Sequence, residues 1–238
     1  MSPQQEIQVE DDGLVCPEVG NWAKSKYRLI ALYDELFSKG MKYKWDQRVY
    51  IDLYAGAGFS KIRNTRIVLK GSPLLALGVS CPFDKYIFCE GESDKLRALE
   101  ARVARAAQQA VCTFVQGNCD SKVDEILASV PHSSRENRVL SLCVVDPFDF
   151  GLKFATLKQL SSLKVDFLVL LAVAMDANRA YEHYVEGKNP KLDMALGNVN
   201  WRKRWSAQPR GRDEFLNFLA EEFAQSMVSL GYRKTGPA

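Results

Sequence analysis

Two histidines are all that 238 residues contain, and His132 and His183 each stand alone in polar surroundings, so neither is assigned a metal-binding or catalytic role. The six cysteines (Cys16, Cys81, Cys89, Cys112, Cys119 and Cys143) include no Cys-x-x-Cys pair and no Cys/His cluster. They read as reduced thiols of a cytoplasmic protein, and no metal is expected. No Pro/Gly/Ser-rich linker, low-complexity tract or internal repeat divides the chain. The longest apolar run, Phe167 to Met175, falls far short of the roughly 20 residues that a membrane-spanning helix needs. Residues Met1 to Asp12 are polar and acidic and lack the apolar centre of a secretion signal.

What is present is a chain 47% hydrophobic, enough to bury a substantial core as one domain. The expected organisation is a flexible tail over residues 1–18 and a single domain over residues 19–238. A net charge of +3 decides little, but its distribution is informative. Lys61, Arg63, Arg66 and Lys70 crowd one stretch without an acid, and Lys188 to Arg212 is basic apart from Asp193. The centre of the second stretch, Trp201-Arg202-Lys203-Arg204-Trp205, interleaves cations with aromatics. Such a run serves either as a solvated face or as a nucleic-acid surface, with cations for phosphates and rings for bases.

Periodicity predicts strands alternating with helices. Asn21 to Lys39 places Ala23, Tyr27, Ile30 and Phe37 on one helical face, with Gly40 as a stop. Val49 to Tyr54, Tyr86 to Cys89, Val111 to Val115, Val139 to Val145 and Phe167 to Val173 read as five strands. Helices follow the second and third, one opened by Ser93 or Asp94 and one by Ser121. Phe215, Phe218, Leu219, Phe223, Met227 and Leu230 form a last amphipathic stripe closed by Gly231. Strands apolar on both faces and separated by helices predict an α/β fold with a doubly wound parallel sheet. In such a sheet ligands bind beyond the carboxyl ends of the strands.

Those ends carry the candidate chemistry. The first strand runs into Asp52-Leu53-Tyr54-Ala55-Gly56-Ala57-Gly58, whose glycines permit a tight turn and a close approach of backbone to ligand. A dinucleotide fingerprint needs a third glycine where Lys61 stands. The carboxylate of Asp52 attracts an ammonium and repels a pyrophosphate, so the turn suits the aminoacyl end of S-adenosylmethionine better than NAD. Glu90 ends the second strand, at the place where an acid accepts hydrogen bonds from ribose hydroxyls. The third ends in Gln116-Gly117-Asn118-Cys119-Asp120, where Asn118 or Asp120 either meets an adenine amine or belongs to a polar turn capped by Ser121. The fourth ends in Asp146-Pro147-Phe148-Asp149-Phe150, a carboxylate, a rigid turn and two aromatics able to stack on a planar substrate.

Together these residues resemble the three-Cys-motif partner proteins, which look like class I methyltransferases. The likeness rests on Gly20-Asn21-Trp22-Ala23-Lys24, on the Asp52–Gly58 turn, and on Gly71-Ser72-Pro73-Leu74-Leu75-Ala76-Leu77, Glu90 and Val145-Asp146-Pro147-Phe148. It implies a Rossmann-like sheet of the class I methyltransferase type and S-adenosylmethionine as cofactor. The cofactor would be held by Asp52, Tyr54, Ala55, Gly56, Ala57, Gly58, Ser72, Glu90, Gly91, Asn118, Cys119 and Asp146. Asp146, Pro147 and Phe148 would lie at the reacting centre. Read together with the basic runs, and not from the resemblance, the expected substrate is nucleic acid, with Lys61, Arg63, Arg179, Arg202, Lys203 and Arg204 as its contacts. Ser72 and Pro73 also read as the N-cap and first residue of a helix, which makes Phe59 to Lys70 a mobile basic loop at the mouth of the site. Two departures from the pattern matter. Asp146-Pro147-Phe148 lacks one proline of the Asp-Pro-Pro-aromatic motif of amino-methylating enzymes, and no Pro-Cys nucleophile for cytosine C5 is present. The chain also runs out where class I enzymes add an antiparallel strand pair, so the sheet is expected to lack it and to expose an edge. Both features favour the alternative reading, a cofactor-binding or catalytically silent module that docks a radical-S-adenosylmethionine-like protein with three cysteines.

Overall fold

The computed structural model describes residues 7–147, 151–170, 181–207, 211 and 214–233. They divide between two units, one of Met1–Val145 with Leu163–Leu168 and one of Asp146–Ser162 with Val169–Ala238. The first unit begins with β1 (Gln8–Val9), β2 (Glu18–Val19), α1 (Ala23–Met41), β3 (Gln47–Asp52), β4 (Phe59–Ile62), β5 (Val68–Lys70) and α2 (Ser72–Leu77). It continues with β6 (Lys85–Glu90), α3 (Ser93–Ala106), β7 (Cys112–Gln116), α4 (Cys119–Ser129), β8 (Val139–Val145) and β9 (Val165–Val169).

Its main sheet has the order β7-β6-β3-β8-β9. The pairs β7/β6, β6/β3 and β3/β8 are parallel. The Ser141 N–H meets the Lys164 carbonyl at 2.8 Å beside β9. The chain leaves β3 for β6 and β7 on one side, then returns to β8 on the other, so the winding reverses at the carboxyl end of β3. All seven residues of β8 are buried, as are the last five of β3 and of β6, which is the burial expected of strands covered on both faces. On one face Tyr50, Tyr86, Phe88, Leu140, Leu142 and Val144 form a core with Phe37 of α1, Leu74 and Ala76 of α2, and Leu99 and Val103 of α3. Tyr50 is the aromatic centre of that layer, with ring centroids 5.3 Å from Phe83, 6.2 Å from Tyr86 and 6.3 Å from Phe88. Among the described residues the main sheet has these five strands. β9 starts two residues earlier than expected, and residues 171–173 of the predicted strand lie outside the described residues. α1 runs through Gly40 rather than stopping there.

Two expectations need correcting. Residues 59–70 are not a loop but a hairpin: β4 pairs antiparallel with β5, Phe59 opposite Lys70 and Lys61 opposite Val68. Alternation shows on β4, where Ser60 and Ile62 are buried while Lys61 is nearer the surface, and on β5 Val68 and Leu69 are both buried, with Arg63 and Arg66 exposed between the strands. Asn64, at φ 60°, makes the reversal. Residues 7–18 are not a free tail either. β1 pairs with β5, and β2 with β4, to give the second sheet β1-β5-β4-β2. The segment is also tied by charge. Arg102, 2% exposed, donates to both Asp12 carboxylate oxygens (3.0 and 2.5 Å) and to the Val15 carbonyl (2.9 Å).

The second unit holds α5 (Phe154–Leu160), α6 (Tyr181–Val185), α7 (Lys191–Leu196), α8 (Trp201–Ser206) and α9 (Phe215–Ser229). Phe215 is fully buried, with ring centroids 4.8 Å from Tyr181, 4.9 Å from Trp205 and 5.9 Å from Trp201. Phe154 of α5 meets Phe223 of α9 edge to face at 6.2 Å.

The Arg102 pair generates a prediction about acid. Its guanidinium holds the Asp12 carboxyl below its ordinary value of 3.8. The pair's contribution is therefore full above that value and is lost as pH falls through the lowered folded value. Asp12→Asn should cost about 2–3 kcal/mol near neutrality, and the gap to the wild-type chain should close on acidification. Urea unfolding across the pH range measures this; parallel curves would show that the ion pair adds nothing.

Candidate functional site

The carboxyl ends of β3 and β6 meet in one tightly bonded turn. Asp52, the last residue of β3, is fully buried, and its Oδ1 accepts the Tyr54 N–H at 3.1 Å. Glu90, the last residue of β6, is 7% exposed and splits its two oxygens: Oε2 accepts the Gly56 N–H and Oε1 the Glu92 N–H, both at 2.8 Å. The Ala55 N–H reaches the Cys89 carbonyl at 2.9 Å. On the far side of the turn, Arg102 donates to the Ala57 carbonyl at 2.6 Å, and the Gly71 N–H donates to the Gly58 carbonyl at 2.7 Å.

Glycine is required at the turn for two different reasons. Gly56 (φ +63°) and Gly58 (φ +82°) are both in the left-handed region that other residues adopt only under strain. A Cβ on Gly58 would sit 2.9 Å from Leu99 Cδ1, so that position is closed by the core. A Cβ on Gly56 would meet nothing within 4 Å, so that position borders open space. Gly91, after Glu90, is open in the same way.

The other expected cofactor residues are placed as follows. Asn118 is the N-cap of α4: its Oδ1 accepts the Asp120 N–H at 2.8 Å, and the helix begins at Cys119 rather than at Ser121. Cys119 is buried, hydrogen-bonded to the Tyr54 side chain, and pushed up to about 11 by burial. Ser72 is buried in the first turn of α2, but the cap is Gly71, held in extended conformation by its bond to Gly58. Asp146 and Pro147 leave β8 half-buried at the start of the second unit. Phe148 and Arg179 lie outside the described residues.

Of the expected substrate residues, Lys61 is half-buried on β4, and Arg63 is exposed, 4.0 Å from Glu18. The cluster at Arg202 to Arg204 differs from a free basic surface. Arg202 donates to Asp193 at 2.5 Å and to the Tyr184 carbonyl at 2.7 Å, and lies 4.4 Å over the Trp201 ring. Arg204 is paired with Glu222 of α9, Nε to Oε1 at 2.7 Å. Trp201 and Trp205 are 0% and 5% exposed, so their rings belong to the core and are not presented for stacking. Lys203 is exposed and stands outside these pairs.

Sequence reasoning missed Asp34. It lies on the buried stripe of α1 between Ile30 and Phe37, is fully buried, and neither carboxyl oxygen has a hydrogen-bond partner. Burial and, next, the Asp52 charge push its carboxyl well above the usual carboxylate range. The signal was present in the periodicity: Ala23, Tyr27, Ile30 and Phe37 share a face to which position 34 also belongs.

No protein-family model and no curated protein matches the chain. Solved structures similar to parts of it include the following two. One is protein LPL1258 from Legionella pneumophila, of family DUF519, at 13% identity and TM-score 0.38 over 56% of this chain and 60% of that one. The other is the glycopeptide N-methyltransferase MtfA complexed with sinefungin, at 16% identity and TM-score 0.32 over 67% of this chain and 51% of that one. The likeness thus spans less than two thirds of either structure. The Rossmann-like α/β fold rests on the strand order and register given above. No helix among the described residues is long and apolar enough to cross a membrane.

The two glycines of the turn should respond differently to a methyl group. Gly58→Ala should lose about 1–3 kcal/mol of stability, through strain and the clash with Leu99. Gly56→Ala should cost only the backbone strain, about 1 kcal/mol. Thermal denaturation of both variants checks the order, and a larger loss at Gly56 would show that its open side is filled in solution.

Proposed function

We propose that the chain is an S-adenosylmethionine-dependent methyltransferase acting on nucleic acid. The observation that carries the cofactor reading is the placement of Asp52 and Glu90 at the ends of adjacent parallel strands around a glycine turn open at Gly56. A buried carboxylate at Asp52 favours an ammonium and disfavours a pyrophosphate. Each Glu90 oxygen has one bond from the backbone and a further lone pair for a ribose hydroxyl. When bound, the cofactor supplies an electrophilic sulfonium methyl, whose transfer is a direct displacement that asks the protein for alignment. The thiols are consistent with a route lacking a covalent cysteine: burial pushes Cys89 up to about 12 and Cys119 up to about 11, so both stay protonated near neutrality. Asp146 and Pro147 are proposed for the reacting centre, with Phe148 continuing that motif in sequence.

The nucleic-acid acceptor is supported by the cations that remain at the surface, Lys61, Arg63 and Lys203. Arg202 and Arg204 lend it less, since both are engaged by carboxylates. A second reading, docking of the three-cysteine partner implied by the motif resemblance, is favoured by α1. Leu29, Leu32 and Leu36 lie along it at helical spacing and are 53%, 56% and 62% exposed.

Titration calorimetry with S-adenosylmethionine, S-adenosylhomocysteine and NAD separates these readings. Binding of the first two but not NAD is expected, and Asp52→Asn, which keeps the acceptor for Tyr54, should weaken both by about tenfold or more. If the folded chain binds none of the three, the docking reading leads. For the acceptor, replacing Lys61 and Arg63 with Ser should flatten the salt dependence of nucleic-acid affinity, by roughly 0.9 in the log–log slope for each phosphate no longer neutralised. An unchanged slope would remove the hairpin from the substrate surface.

A further inference from the structure

We propose that Asp34 is a second ligand-binding carboxylate of this site, which meets the α-ammonium of the cofactor's amino-acid arm together with Asp52. The inference rests on the cofactor reading above and adds to it a residue from outside the strand-end motifs.

The geometry follows from how α1 lies against β3. At one end of the helix the Tyr27 hydroxyl and Ser60 Oγ are 3.0 Å apart, just beyond the glycine turn. At the other end Arg48, near the start of β3, donates to the Ser38 carbonyl at 2.8 Å, and Phe37 stacks 6.0 Å from Phe83 beside Tyr50. The helix therefore runs antiparallel to the strand, and the buried stripe between Tyr27 and Phe37 passes the carboxyl end of β3. Asp34 is on that stripe, close enough to Asp52 to feel its charge.

A fully buried carboxyl with no hydrogen bond to either oxygen is costly for a fold to keep. Its surroundings give it no relief. On β3 the other charged side chains are Arg48, engaged by the Ser38 and Pro82 carbonyls and by Asp84 at 3.5 Å, and Asp52, which repels it. α2, which packs on α1, has no charged residue. On α1 itself the neighbours are Tyr33, whose phenol is pushed up by burial, by Asp166 and by Asp34, and Ser38 one turn on. What Asp34 lacks is a positively charged donor. An α-ammonium brings one positive charge and three N–H groups, enough to serve both carboxyls.

Burial and, next, the Asp52 charge favour the protonated form of Asp34 while no cation is present. When the ammonium enters, Asp34 gives its proton to solvent and becomes a carboxylate paired with the incoming cation, which keeps its own three protons. Binding thus releases a proton, and affinity rises with pH until Asp34 is already ionised in the free protein.

The test is calorimetry of wild-type protein and Asp34→Asn with S-adenosylmethionine and with 5′-methylthioadenosine, which lacks the amino-acid arm, in two buffers of different ionisation heat. The wild type is expected to release about one proton with S-adenosylmethionine and none with methylthioadenosine. Asp34→Asn should release none and bind S-adenosylmethionine about tenfold more weakly. It should bind methylthioadenosine as the wild type does, which also shows that the variant is folded. Equal affinity of the two proteins for S-adenosylmethionine, an equal loss for both ligands, or no proton release by the wild type would overturn the proposal. Failure of the wild type to bind either ligand would instead refute the cofactor reading, and the role of Asp34 would fall with it.

Discussion

The turn from Asp52 to Gly58 cannot support itself. Two of its residues sit at positive φ, and its backbone groups find their partners outside it: the Cys89 carbonyl and Glu90 carboxylate from β6, the Arg102 guanidinium from α3, and the Gly71 N–H at the head of α2. Removing any one leaves a buried polar group unsatisfied, at about 1–3 kcal/mol. Through Arg102 the dependence extends to the start of the chain, because the guanidinium that holds Ala57 also holds Asp12 and Val15 and lies 4.3 Å over the Phe59 ring. Residues far apart in sequence therefore share one local geometry, and the small sheet β1-β5-β4-β2 is part of what keeps the turn in shape.

The main sheet was legible because its strands are apolar on both faces, so an acid at the end of such a run stands out. Asp52 and Glu90 were visible for that reason. The hairpin from Phe59 to Lys70 was hidden by its charges: four cations in one stretch outweighed the alternation of Ser60 and Ile62 and the apolar pair Val68 and Leu69. Asp34 was hidden because the apolar residues of that helix face step from Ile30 to Phe37 over the position between. Trp201 and Trp205 are four residues apart, which is one helical turn, and that spacing fits a buried face as well as a stacking surface. Which of the two applies depends on Phe215 and Glu222, and nothing local to residues 201–205 announces those partners.

The second unit shows why basic runs are poor guides to binding. Asp193 accepts from both the Trp201 indole (2.7 Å) and Arg202 (2.5 Å), and so orients the helix that carries them. Glu222, 6% exposed, holds Arg204, and Ser226 one turn on bonds the Leu196 carbonyl at 2.6 Å. In so small a helical cluster a long side chain can cover apolar surface with its stem while its charge is neutralised at the rim. The cations near Trp201 are in part components of packing, and the composition of the segment reflects that need.

Folding alone gives little reason to retain Asp34. An apolar residue of similar size would fill the same space without desolvating a carboxyl, and replacing buried charged groups by apolar ones is commonly neutral or stabilising. A second acid close by makes the arrangement less favourable still, since each carboxyl raises the cost of ionising the other. Such local violations of an otherwise consistent sequence concentrate where a ligand supplies the missing partner. Asp52 opens a glycine turn in which a Cβ on Gly56 would meet nothing within 4 Å, at the point of the sheet where the winding reverses. A cation held there would remove the desolvation cost and the repulsion together. The same two groups that weaken the empty fold are therefore the ones that a positively charged ligand would bind most strongly.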